Sequence, residues 1–119
     1  MLFRSAEGRV LESANPVGAY ELVQRATRLE PANARYLVSA GDLALGLGRK
    51  TEAIRWYEQA VEHDRYRASH YWRLAQVSVD KDLVLKYLRH ACELNPTRQE
   101  YRQALETLTE SIQIGRAHV

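Results

Sequence analysis

The stretch ARYLVSAGDLALGLG (residues 34–48), followed closely by AIRWYEQAVEHDRYR (53–67), decides the fold. In the first, Leu37, Ala40, Gly41, Ala44 and Leu47 recur at steps of three and four, which lays one apolar stripe along a helix. In the second, an apolar opening residue is followed by small or apolar partners at helical spacing, among them Tyr57 and Ala60, and an acidic residue precedes the closing turn. Gly48 lies between the two as a helix stop.

The second pattern returns on both sides. AYELVQRATRLEPAN (19–33) precedes it and VLKYLRHACELNPTR (84–98) follows it. Ala19 and Ala53 are 34 residues apart, as are Ala26 and Ala60, whereas Ala60 and Ala91 are 31 apart. Pro31 and Pro96 close equivalent segments, with Arg65 at the intermediate position. ASHYWRLAQVSV (68–79) repeats the first pattern through Tyr71, Leu74, Ala75 and Ser78. Asn15–Pro16 supplies an N-cap with proline at the first helical position. Asp80 can cap the helix after it, and Thr97 with Glu100 reads as a capping box opening the last helix. Seven helices follow, at about 6–14, 16–30, 33–47, 50–63, 67–78, 81–94 and 97–112, with no alternating strand pattern among them. The class is all-α.

The series Gly41, Gly48, Glu52-Ala53-Ile54, Tyr57, Ala60 and Asp64 resembles the tetratricopeptide repeat. Tyr71, Leu74, Ala75, Ala91 and Asn95-Pro96 resemble the next unit, and Ala19, Ala26 and Pro31 the previous one. The resemblance covers residues 6–113 and implies an α-solenoid of about three helix-turn-helix units plus one extra helix. Three residues are missing from the third unit around Val79 to Asp82, so its turn is expected to be tighter. Arg65 stands where the pattern has proline, so that junction is expected to lack a helix stop. Small residues (Gly41, Ala53, Ala60, Ala75, Ala91) would let paired helices approach, and Leu37, Tyr57, Tyr71, Leu74 and Leu88 would fill the spaces between pairs.

The 119 residues are enough for one domain with a core. Six glycines and three prolines argue against collagen, disorder or a Gly-rich phosphate loop. No apolar run approaches the roughly 20 residues that span a bilayer. The ends read differently from the middle. Leu2–Ser5 (LFRS) and residues 114–119 (IGRAHV) resemble translations of the two complementary strands of one sequencing-library adapter. Residues 1–5 and 114–119 are therefore expected to be non-native and 6–113 to be a segment of a longer protein. Without Arg4 and Arg116 the 17 basic residues become 15, against 15 acidic, and the formal charge of +2 becomes zero.

Catalytic chemistry finds little footing. Cys92 and His90 are close on one helix but do not face each other, and one cysteine permits no disulfide framework. His63, His70 and His90 lack a second ligand at metal-binding spacing. Asp80 and Asp82 read as turn and cap residues. No catalytic residue, metal site or cofactor is expected. Arg65, Arg67 and Arg73 around Tyr66, Tyr71 and Trp72 would suit a single-stranded nucleic acid, but Glu62 and Asp64 sit beside them and no basic stripe runs along the chain.

Trp72 follows Tyr71, so if Tyr71 is core, Trp72 tilts toward the surface lined by the opening helices. In proteins of the resembled family that concave surface is the ligand groove. Matching positions place Arg35, Val38, Asp42, Leu45, Ser69, Trp72, Gln76, Val79, Glu100, Gln103 and Thr107 on it. The resemblance thus implies a protein-interaction module with a protein or peptide partner. It does not extend to the cluster of Lys, Arg and Asn that some members use to hold a chaperone's C-terminal carboxylate, since Val38, Asp42, Trp72 and Gln76 occupy those positions and only Arg35 could help. Two alternatives stay open. DRYRASHYWRLAQ (64–76) also resembles repeats at the C-terminal end of bacterial O-antigen-ligase-like membrane proteins, which would make the chain a soluble periplasmic tail of an enzyme. The other is a single-stranded nucleic-acid binder.

Overall fold

The computed structural model describes residues 15–117, and the side chains of 15–115. Six α-helices make up the described residues: α1 (Pro16–Leu29), α2 (Ala34–Gly46), α3 (Lys50–His63), α4 (Ala68–Val77), α5 (Lys81–Leu94) and α6 (Gln99–Ala117). The helix expected at 6–14 lies outside the described residues. The other six match the expected ones within a residue or two at each start. Only α6 runs clearly further than expected, through Ala117 rather than 112.

The caps explain these limits. Asn15 accepts the Gly18 N–H at 3.1 Å, with Pro16 at the first turn. Asn33 accepts the Arg35 N–H at 3.1 Å. Asp80 accepts the Asp82 N–H at 2.9 Å and the Leu83 N–H at 3.4 Å. Each satisfies donors that a helix start leaves open. The chain turns at Gly48 with φ +78°, where a side chain would be strained.

Three expectations are corrected. The junction at Arg65 does stop its helix. Glu30, Asp64 and Asn95 take nearly the same dihedrals (φ −133°, −147°, −140°; ψ 76°, 79°, 76°), and their N–H groups donate to the carbonyls of Ala26, Ala60 and Ala91. Proline restricts the residue before it at two of these sites, but the same turn forms without it at the third.

The Thr97–Glu100 capping box does not form. The helix starts at Gln99, the Thr97 hydroxyl bonds Asn95 Oδ1 at 3.2 Å, and Glu100 pairs with Arg98. The repeat register explains this. Asn33 and Arg67, two residues past Pro31 and Arg65, are the N-caps of α2 and α4, and the Arg102 N–H donates to the Arg98 carbonyl two residues past Pro96.

The turn of the third unit is not tighter. Leu47–Arg49 and Ser78–Asp80 both connect their helices with three residues, whereas α4 has 10 residues against 13 in α2. The three missing residues come out of the helix, close to one turn or about 4.5 Å of length.

The chain divides after Arg65 into two compact units, the first holding α1–α3 and the second α4–α6. In the first, α1 packs on α2 and α2 on α3. Ala40, Ala44, Ala53 and Ala60 are wholly buried, with Ala19, Tyr20, Leu37, Gly41 and Tyr57 beside them. Gly41 lies against the Tyr57 ring, and the Tyr57 hydroxyl donates to Asp42 Oδ1 at 2.5 Å. Tyr20 ties α1 to α3. Its hydroxyl donates to Glu52 Oε1 at 2.6 Å and accepts the Trp56 indole N–H at 2.7 Å. In the second unit, α4 packs on α5 and α5 on α6, burying Tyr71, Leu74, Ala75, Leu88, Ala91 and Tyr101. The small and large residues named from the sequence thus occupy the two cores.

Candidate functional site

The second unit carries a cleft of about 590 Å3. Its floor is apolar: Ala75 from α4, Val84 and Leu88 from α5, Ala104 and Leu108 from α6. Its rim is Gln76, Glu100, Gln103, Thr107 and Ser111, and Trp72 forms one wall. The helical phase of α6 produces this division. Residues 100, 103, 107 and 111 follow one line of three- and four-residue steps, and 104 and 108 sit one step inward.

Tyr71 and Trp72 separate as expected. Tyr71 is buried and stacks on His90, with centroids 4.9 Å apart and planes at 22°. Trp72 is half-buried and leans on the buried Tyr101 ring, 5.0 Å away at 37°, which holds its orientation while one face stays on the cleft. The Trp72 ring thus both packs on α6 and lines the cleft.

Of the eleven expected groove residues, the cleft brings together Trp72, Gln76, Glu100, Gln103 and Thr107. Ser69 is half-buried on α4 away from the lining, and Val79, 82% exposed, falls in the connector past the end of α4. Arg35, Val38, Asp42 and Leu45 lie along one face of α2 in the first unit. Arg35 and Leu45 are exposed and Val38 is half-buried, while the exposed Asp42 accepts the Tyr57 hydroxyl. Sequence reasoning missed the floor. The sequence places Ala75 and Leu88 only in the core and gives Val84, Ala104, Leu108 and Ser111 no role. The apolar steps of α5 and α6 were the signal for them.

The electrostatics are spare. Glu100 is the one charged side chain among those lining the cleft. It pairs with Arg98 at 3.2 Å, both more than half exposed, and the Arg98 guanidinium lies 5.3 Å from the Tyr101 ring centre. Burial pushes the Cys92 thiol up from its ordinary value, which disfavours the reactive thiolate. His90 stacks on Tyr71 and approaches Glu93 at 3.8 Å. No group of three or more His, Cys, Asp or Glu side chains among the described residues could hold a metal. Arg65, Tyr66 and Arg67 are exposed around the turn that joins α3 to α4. No helix among the described residues is long and apolar enough to cross a membrane.

Residues 34–66 match the family described as tetratricopeptide repeat. No curated protein matches the chain. Among solved structures, MamA is similar with a TM-score of 0.80 at 18% identity, over 95% of this chain and 67% of that one. The chain therefore spans two thirds of that relative's length. The first tetratricopeptide domain of Spaghetti (RPAP3), bound to the HSP90 peptide SRMEEVD, gives a TM-score of 0.79 at 15% identity over 91% of this chain and 89% of that one. The Yersinia enterocolitica type III secretion chaperone SycD, in complex with a peptide of the translocator YopD, gives 0.78 at 16% identity over 93% and 90%. At these identities the likeness establishes the fold.

Proposed function

We propose that this tetratricopeptide-repeat chain is a protein–protein interaction module, and that the cleft beside Trp72 is a surface on which it takes a segment of a partner. The observation that carries the reading is the union, in one concavity, of an apolar floor, an aromatic wall held by a second aromatic ring, and a polar rim in which only Glu100 is charged. Such a floor accepts apolar anchor side chains, the aromatic wall supplies a large rigid contact, and the amides and hydroxyls can pair with a partner's main chain. Two of the similar structures were solved with peptides bound, which supports the same reading here. In this reading the chain acts by presenting a surface.

The cleft gives single-stranded nucleic acid no cationic phosphate contact, because no lysine or arginine lines it. If residues 64–76 mark the tail of a ligase-like membrane enzyme, the same cleft would face the periplasm.

The test is peptide selection on the immobilised chain, followed by affinity measurement against Trp72→Ala and Thr107→Trp. The first removes the aromatic wall and the second fills the cleft from its exposed rim. Both are expected to weaken selected peptides about tenfold or more while circular dichroism stays near wild type, with Trp72→Ala melting lower through loss of its Tyr101 contact. Peptides that bind both folded variants as well as wild type would overturn the reading.

A further inference from the structure

The wall of the cleft is Trp72, and the side chain behind it lies outside the cleft. Tyr101 is buried and is not among the residues lining the concavity, yet its ring sits 5.0 Å from the Trp72 ring at 37°. It belongs to the first turn of α6, which packs on α5. The Arg98 guanidinium, 5.3 Å from the Tyr101 ring centre, adds a contact to the same ring. Tyr101 is thus fixed by the core on which α6 rests. Trp72 is different in kind. It is half-buried on α4, and an indole there turns about two torsions among staggered wells. A well that swings the indole away from Tyr101 gives up the ring contact and takes the wall out of the cleft. One contact therefore selects the rotamer that shapes the site.

Resting on the reading of the cleft as a partner site, we propose that Tyr101 is a positioning residue for partner binding. It acts from behind the lining, through Trp72. Its ring holds the indole in the binding pose before a partner arrives, so the rotamer freedom of the wall is not lost at the moment of binding. The contact is ring against ring, so the phenyl face carries the role and the hydroxyl does not. Leucine or isoleucine at 101 would fill part of the same space but present no flat face to the indole.

Tyr101→Leu and Tyr101→Ile remove the ring, and Tyr101→Phe keeps it. A Trp56→Phe background leaves Trp72 as the one tryptophan of the chain. There the near-ultraviolet circular dichroism of the indole and its quenching by acrylamide report its order. Both ring-free variants are expected to lose most of that near-ultraviolet band and to be quenched more readily, with far-ultraviolet dichroism still helical. Tyr101→Phe should match the parent. Peptides selected on the immobilised wild-type chain are then titrated by fluorescence anisotropy. The ring-free variants should bind them about three- to tenfold more weakly, the cost of immobilising one large side chain on binding, and Tyr101→Phe should bind as wild type does. In a Trp72→Ala background the same substitutions should have no further effect on affinity, since Tyr101 acts through that ring.

Ring-free variants that bind these peptides as tightly as Tyr101→Phe, or that weaken them equally with and without Trp72, overturn the positioning role and leave the cleft reading standing. An indole that stays equally ordered without the Tyr101 ring does the same. Loss of the helical fold in both ring-free variants makes Tyr101 a residue of the core alone and also overturns the role. Peptides that bind Thr107→Trp as well as wild type, or failure to select any, overturn the cleft reading itself.

Discussion

Three glycines at and beyond the centre of α2 should respond to one substitution in three different ways. At Gly41, alanine gains the ordinary helix-propensity advantage of about 1 kcal/mol. Against that, a Cβ there would come within 2.7 Å of Tyr57 Cδ1 and closer still to Cε1. The ring has little freedom to withdraw, because Tyr57 is 2% exposed and its hydroxyl is held by Asp42, the residue next to Gly41. Overpacking of this kind costs about 1–3 kcal/mol, and loosening the Tyr57–Asp42 bond adds about 1 kcal/mol. The net for Gly41→Ala is a destabilisation of roughly 1–3 kcal/mol, a fall of about 4–12 °C in Tm for a chain of this size. At Gly46, near the end of the same helix, nothing lies within 4 Å of the added carbon, so the propensity term acts alone. Gly46→Ala should stabilise by about 0.5–1 kcal/mol. At Gly48 the space is also open but φ is +78°, and alanine should cost about 1 kcal/mol through backbone strain.

Urea and thermal melts followed by circular dichroism measure all three. Tyr57→Phe completes the argument by releasing the ring from Asp42. Gly41→Ala should then cost less in the Tyr57→Phe background than in wild type. A Gly41→Ala variant as stable as Gly46→Ala would refute the close-approach account of this helix pair.

Other expectations follow from the same geometry. Ala53→Leu and Ala60→Leu place large side chains at wholly buried positions and should each lower stability by about 1–3 kcal/mol in urea melts. Asp80→Ala should cost about 1 kcal/mol by removing an N-cap, whereas Thr97→Ala, whose hydroxyl caps nothing, should change melting little. Burial first, and then the Glu52 hydrogen bond, raise the Tyr20 phenol above its usual 10.0. A phenol raised in the folded state contributes stability that is whole below pH 10 and is lost as pH rises through its folded value. Urea melts from pH 9 upward should therefore show a loss of stability that Tyr20→Phe lacks.

Most of the fold was legible because its signals are local and repeated. The alanines at 19, 26, 53, 60 and 91 set the helix phase, Asn15 and Asp80 set two starts, and Gly48 set a stop. Where one local motif competed with the repeat, the repeat prevailed. Thr97 and Glu100 satisfy the capping-box pattern, but the turn through Asn95 and Pro96 fixes the start of α6 two residues later, as the turn through Pro31 fixes α2. The Tyr20–Glu52–Trp56 cluster was not legible at all. Its partners are 32 and 36 residues apart, and helical phase within one segment does not show which polar tips meet across helices.

The site shows the same boundary between phase and length. The family resemblance was needed to put Trp72, Gln76, Glu100, Gln103 and Thr107 on a common surface, and the phase of α4 and α6 brings these five to one cleft. Length decided which of the expected groove positions stay on a helix. A spacing of 31 rather than 34 says that three residues are gone, but a connector and a helix end can each absorb such a loss. The connector already has three residues in the preceding pair, and a chain that must reverse between packed helices has little left to remove. A helix end has no such minimum, since each residue removed takes only about 1.5 Å and one hydrogen bond. The loss falls on α4, Val79 moves off the helix into the connector, and α4 contributes only Trp72, Ala75 and Gln76 to the cleft, whose floor is completed by α5 and α6.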